Sequence, residues 1–320
     1  MLMKKELLRK KILVTLAYFD IFEFPLTLME LRRYLWKDNV SLRELLEILD
    51  EMIRDQKLET KNGFYFLPKR LSIIEIRAKR YEISQKKWRR VKKYLFILRR
   101  LPFIKLIFVC NKLSYNNADT ASDIDLLIIT RKNRIWLARL LAVLVLGFLR
   151  IRRHGKKIRD RFCLSFYLAE NSLDLSPLSQ GEEDIHFFYW LYQLRPIVGG
   201  LGVYARFIEA NSWLEKYLPT YKKFSRDFVF KKIGEVSRTK ELIESIIDFC
   251  FGDQLEKISR FLQLLRMKRT SKKLGPGASV IVSDKILKFH PLDRRKFYRE
   301  EFEKNLEKLG LDKDLDCYKM

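Results

Sequence analysis

The sequence predicts an α+β protein in three parts. These are a small N-terminal unit of helices closed by a hairpin, a central mixed sheet with helices, and a helical C-terminal region. Three observations carry this. Residues 5–54 hold three helical apolar patterns, and two short strand-like runs follow around the turn Lys61-Asn62-Gly63. Residues 106–169 hold three short runs rich in β-branched or aromatic residues, with an apolar helical stretch before the last. Residues 240–309 return largely to helical spacing. Period 3.6 marks helix, and short β-branched runs bounded by turn residues mark strand. The parts divide at 1–70, 71–100 (a basic linker helix), 101–180 and 181–320.

In the first part Leu7, Leu8, Ile12, Leu13, Leu16 and Ala17 mark one helical face, and Asp20 to Pro25 ends it. Thr27 is an N-cap for a second helix over 26–36. Ser41, with Glu44 three residues on, forms a capping box for a third helix ending near Arg54. Asn62-Gly63 is a strong hairpin signal. Three helices followed by a hairpin make a winged-helix-like pattern. Such a unit reads duplex DNA through its third helix. Here that helix carries Glu44, Glu47, Asp50 and Glu51 against Arg43 and Arg54. A structural or protein-binding role is therefore expected ahead of DNA-binding regulation.

Residues 71–100 combine Lys86, Lys87, Arg89, Arg90, Lys92 and Lys93 with an apolar side that includes Trp88, Val91 and Leu95. The helix is expected to link the first two domains and to offer a solvated or phosphate-tracking basic face. Leu106–Cys110 and Leu126–Thr130 then read as strands around a polar loop that ends in Ser122-Asp123-Ile124-Asp125. Side chains alternate along a strand, so Asp123 and Asp125 point the same way while Ile124 enters the core. Two such carboxylates repel unless a cation lies between them, and their hard oxygens suit Mg²⁺ or Mn²⁺.

Strand, polar loop and Ser-Asp-x-Asp leading into a second strand resemble the nucleotidyltransferase fold of the DNA polymerase beta superfamily. The matching residues are Asn116-Asn117-Ala118-Asp119 and Ser122-Asp123-Ile124-Asp125-Leu126. Where that family places Gly-Ser, this chain has Asn111-Lys112. The resemblance implies a nucleotidyltransferase-type mixed sheet. It implies transfer of a nucleoside monophosphate from a nucleoside triphosphate to an acceptor hydroxyl with Mg²⁺ (or Mn²⁺) held by Asp123 and Asp125. Nucleotide contacts are expected at Asn111, Lys112 and Ser122. A third carboxylate is also implied, on a later strand. The run Phe162–Ala169 has none, so Asp160 just before it and Glu170 just after it are the nearest candidates. The missing Gly-Ser and missing in-strand carboxylate fit an alternative: a catalytically degenerate nucleotide-, RNA- or protein-binding member of the same fold.

The run Leu140–Leu149 is too short to span a bilayer and reads as a helix covering the sheet. Residues 151–161 are a very basic connection. The aromatic stretch 183–192 reads as core, and Pro196 with Gly199-Gly200 is expected to break the chain. Helices are expected over 202–217, 240–268 and 296–309, with a turn at Gly275-Pro276-Gly277 and a short extended piece at 280–282. His290, Asp293, Arg294 and Arg295 form a polar cluster in which His290 is a candidate for phosphate contact or proton transfer.

Composition bounds the function classes. Lys and Arg number 65 against 40 Asp and Glu, a net charge of +25, which favours RNA or another polyanion as partner or substrate. Cys110, Cys163, Cys250 and Cys317 show no paired spacing, so reduced core thiols are expected in a cytoplasmic protein, not a disulfide framework or zinc site. Charged residues interrupt the N-terminal segment, which argues against a secretory signal, and no transmembrane segment is expected. No Walker-type or dinucleotide glycine loop is present.

Overall fold

A computed structural model describes residues 2–227, 238–271, 279–290 and 293–311. Among them are eleven α-helices and two β-sheets, of three and six strands, in a mixed α+β arrangement. The expected turn at Gly275-Pro276-Gly277, the His290 side chain and Cys317 lie outside the described residues.

Local capping sets the first elements: α1 (Leu2–Asp20), β1 (Leu26–Thr27), α2 (Leu28–Tyr34), α3 (Leu42–Arg54), β2 (Glu59–Lys61) and β3 (Phe64–Phe66). The Thr27 Oγ1 accepts from the Glu30 amide at 3.3 Å, and the Glu30 carboxylate accepts from the Thr27 amide at 2.9 Å. This reciprocal box lies one helix earlier than the box expected at Ser41. Ser41 caps α3 through its hydroxyl, which accepts from the Glu44 amide, while the Glu44 carboxylate turns to Lys4. Asn62 and Gly63 take φ of 54° and 78°, the signature of the expected hairpin turn. The strands pair antiparallel in the order β1-β3-β2.

The long helix α4 (Ile73–Leu98) precedes β4 (Ile104–Val109), β5 (Ile124–Thr130), α5 (Ile135–Phe148) and β6 (Phe162–Ala169). There follow α6 (Ile185–Tyr192), β7 (Arg195–Gly199), α7 (Leu201–Ala210), α8 (Tyr221–Asp227), α9 (Arg238–Cys250) and α10 (Gly252–Ser271). The hairpin β8 (Ser279–Val282) and β9 (Ile286–His290) and the helix α11 (Arg295–Lys308) close the chain's described part. The larger sheet has the order β7-β4-β5-β6-β9-β8. Only β5 and β6 run parallel, and α5 makes the crossover that a parallel pair requires.

Four expectations are corrected here. Pro196 and Gly199 do not break the chain; they lie within β7. The strand sits at the sheet edge, where a residue without an amide hydrogen is tolerated. The region beyond residue 180 is also less helical than expected, since β7, β8 and β9 supply three of the sheet's six strands. The helix expected over 240–268 is two helices, parted at Phe251. The helix expected over 202–217 ends at Ala210 and continues as a 3₁₀ turn. Among the described residues no helix is long and apolar enough to cross a membrane.

Strand alternation builds two cores. Leu106, Phe108, Leu127 and Ile129 face one side and merge with Trp36, Phe188 and Tyr189. The N-terminal helices and this sheet face thus share one continuous apolar core. Ile107, Val109, Leu126 and Ile128 face the other side, against Trp88 of α4 and Trp136 of α5. Cys110 and Cys163 are buried as expected, but Cys250 is exposed.

Candidate functional site

The site forms at the start of β5, on the face shared with the N-terminal helices. Ile124 is fully buried, while Asp123 and Asp125 both open into one cleft of 530 Å³, so the expected alternation holds. The neighbouring strand needs an irregularity to join them. Asp125 pairs with Cys163 and Leu127 with Phe166, so three steps on β6 match two on β5. This bulge turns Cys163 and Phe166 to the same face although their numbers differ in parity. Ligand atoms of Asp123, Asp125 and Cys163 all lie within 4.8 Å of one another.

Each acid has its own partner. Arg153 Nη1 donates to Asp123 Oδ2 at 2.6 Å. Asn111 Nδ2 donates to Asp125 Oδ2 at 2.7 Å, and Trp190 Nε1 donates to Asn111 Oδ1 at 2.9 Å. The indole therefore fixes which way the Asn111 amide points. Asn111 has φ of 57°, so this residue takes the left-handed conformation that a glycine would take there at less cost. Burial, then the charge of Asp123, raises the Asp125 carboxyl to about 6, although Asn111 and Cys163 pull it back. Burial, then Asp125 and Asp123, pushes the Cys163 thiol up to about 12, so it stays protonated at neutral pH.

The loop before β5 is locked from both ends. Asp119 accepts from the Ser122 amide and hydroxyl, both at 2.8 Å, and from Lys112 at 2.8 Å. Burial opposes these bonds, yet Lys112 and Ser122 together hold the Asp119 carboxyl down to about 2. From behind, α4 grips the loop. Its buried Lys87 donates to the Ser122 carbonyl at 2.8 Å and to Asp160 at 2.6 Å, and Trp88 donates to Asn116. The basic helix is thus more than a linker with a solvated face, because one of its lysines is an internal strut.

The placement of the expected site residues is uneven. Asn111, Lys112, Ser122, Asp123 and Asp125 all line the cleft. Asp160 does not line it and is engaged by Lys87. Glu170 follows the far end of β6, where it binds Arg206 and the Lys132 amide. Neither residue is brought to Asp123 and Asp125. Beside Asp125 on the adjacent strand stands a thiol, where the resemblance implied a carboxylate.

Several lining residues come from far along the chain. Phe22, Phe187, Trp190 and Tyr298 supply aromatic surface, and Lys288, Arg294 and Arg295 add positive charge. Arg153 was visible only as one of many basic residues in 151–161. The aromatics of 183–192 are expected in the core from sequence. Phe188 and Tyr189 are core, whereas Phe187 and Trp190 also border the cleft. Asp293, Arg294 and Arg295 from the expected polar cluster reach the cleft as well. Arg295 is held there by Asp293 at 2.6 Å and Asp184 at 3.1 Å.

Comparisons of the chain with known protein families, with curated proteins and with solved structures return no match.

Proposed function

We propose that this chain is a nucleotidyltransferase-type protein. Its cleft takes a nucleoside triphosphate with Mg²⁺ or Mn²⁺, and the nucleoside monophosphate passes to an acceptor hydroxyl. The observation that carries the reading is the pair Asp123 and Asp125, which face one cleft beside cationic and aromatic groups. The path from β4 through the polar loop to β5, then α5 and a parallel β6, supports the resemblance noted in the sequence.

The donor set fits one hard cation. Two carboxylates supply oxygens, and substrate phosphates complete the shell that such ions prefer. Burial, and then the like charge of Asp123, raises the Asp125 carboxyl, and a cation would relieve both. When bound, the metal neutralises phosphate charge and orients the triphosphate. A protonated thiol is a poor ligand for Mg²⁺, so Cys163 does not provide for a second ion. The chain's own groups do the rest. Asn111 orients Asp125, and Trp190 orients Asn111. Lys112, Arg294 and Arg295 draw phosphate oxygens into the cleft, and the faces of Phe187, Trp190 and Tyr298 give a base something to stack on. The net charge of +25 suits a polyanionic acceptor such as an RNA.

A second reading, a binding protein without transfer activity, is favoured by one contact. Arg153 already neutralises Asp123. One set of measurements separates the two. ATP binding is titrated with and without Mg²⁺, and label transfer to RNA and protein acceptors is followed, for the native chain and for Asp123→Asn with Asp125→Asn. Metal-dependent binding that weakens about tenfold or more in the variant, with transfer lost, is expected. Equal binding and transfer in both proteins would overturn the metal role. Metal-independent binding without transfer selects the second reading.

The N-terminal unit, with α1 to α3 and its β1-β3-β2 sheet, supports a winged-helix-like reading. Its third helix spends its acids internally: Glu51 pairs with Lys5 and Arg9, and Glu44 with Lys4. That favours packing, or a protein partner, over duplex reading. Three free cysteines agree with a cytoplasmic setting.

A further inference from the structure

The two helices α9 and α10 bury polar side chains and expose most of their large apolar ones. On α9 the buried residues are polar, with Lys240 6% and Glu244 2% exposed. Lys240 Nζ donates to the carbonyls of Arg99 and Ile104, and Glu244 accepts from the Phe103 amide at 2.7 Å and from Lys105 at 2.6 Å. On α10 the buried residues are Ser259 and Gln263. Gln263 Nε2 donates to the Trp136 carbonyl at 2.8 Å, and Glu256 accepts from the Trp136 and Leu137 amides at 2.9 and 2.8 Å, capping α5. These helices dock through charge and backbone bonds together with Ile247, Leu264 and Met267, which pack against the core under the sheet.

Most of their large apolar residues point outward. Phe249 is 92% exposed, Leu242 61% and Ile246 54%. On α10 the exposed residues Leu255, Ile258, Leu262 and Leu265 repeat at intervals of three, four and three, with Phe251 four residues before the first. That is the spacing by which one helix packs along another. Between residues 242 and 265, ten large apolar side chains are exposed. At the surface areas of such side chains they present on the order of 1,000 Å², above the largest patch of a typical monomer and near the 800 Å² per partner of a stable dimer.

We infer that the outward face of α9 and α10 is the seam on which two copies of this chain associate. The occupant is a second copy because the outward ridge of α10 can pack against its own copy about a two-fold axis, and the area of the face matches what each partner of a stable dimer buries.

The test is sedimentation of the full chain over a range of concentrations, at physiological salt, for the native protein and for Ile258→Glu with Leu262→Glu. The native chain is expected to sediment at twice 38.6 kDa, and the variant at 38.6 kDa. The helical circular dichroism of the variant is expected to be unchanged, since both side chains are already in water. Leu242→Lys on α9 provides a second variant, expected to weaken the dimer at least tenfold. A native chain that stays monomeric at tens of micromolar overturns the proposal, as does a dimer that survives all three substitutions. Flotation with anionic vesicles runs alongside. A monomeric native chain that floats, and loses flotation in the variant, assigns the face to a lipid surface and likewise overturns it.

Discussion

Arg153 reaches Asp123 across 30 residues of sequence, from a connection whose other basic residues point elsewhere. Its guanidinium neutralises Asp123, so it stabilises the chain without metal and would compete with a metal at the proposed site. Arg153→Ala is expected to lower the unfolding free energy without metal by about 1 kcal/mol. Added Mg²⁺ should raise the urea midpoint of this variant more than that of the native chain, because ligand that binds only the folded state stabilises it. His186 has a different role. It is enclosed by Tyr18, whose hydroxyl lies 3.0 Å from Nδ1, and by the Tyr298 ring at 4.3 Å. Burial, then the charge of Arg295, holds its imidazole down to about 4, with Asp293 opposing. The unfolded chain titrates near 6.5, so the folded chain binds fewer protons between these values. The stability tied to neutral His186 is present above 6.5 and is lost as pH falls toward 4. The unfolding free energy from urea titration should therefore fall from pH 7 to pH 5 by about 1–2 kcal/mol more for the native chain than for His186→Phe.

At the scale of elements, β7 depends on a close approach. Gly199 has φ of 139°, and a Cβ there would meet the Lys105 carbonyl oxygen at 2.5 Å and the Leu106 Cα at 2.8 Å. Gly199→Ala is expected to cost about 2–4 kcal/mol in chemical denaturation. The same change at Gly200, with negative φ and open space, should cost under about 1 kcal/mol. This strand also shows where the sequence was hard to read. Asn62-Gly63, Thr27 and Ser41 act through bonds to their near neighbours, so those turns and caps were legible. Asp123, Ile124 and Asp125 followed from alternation alone. The strand nature of residues 195–199 depends on pairing with β4, some 90 residues earlier, which no local pattern around Pro196 discloses. The bulge in β6 is likewise silent in sequence, and with it the arrival of Cys163 beside Asp125. In α9 and α10 the spacing was legible but the direction was not, because the buried side mixes Lys240, Glu244, Ser259 and Gln263 with Ile247, Leu264 and Met267.

At the scale of the molecule, one apolar core runs from Leu8 through Trp36, Phe188 and Tyr189 to Phe108 and Ile129. The N-terminal unit of α1 to α3 and its small sheet therefore has no core separate from that sheet face. Thermal unfolding followed by tryptophan fluorescence and by far-ultraviolet circular dichroism should give one coincident transition, and two separated transitions would show that the parts are independent. The cleft shares this property. Its walls run from Tyr18 and Phe22 to Arg295 and Tyr298, with the two acids between them. On the ribosome Asp123 and Asp125 emerge well before Arg295 and Tyr298 exist. The paired carboxylates are thus made about 170 residues before Arg295, and the cleft around them is completed only when that later segment has been added. A chain stalled at residue 200 would carry the whole strand-loop-strand motif and still lack the wall that encloses the cleft.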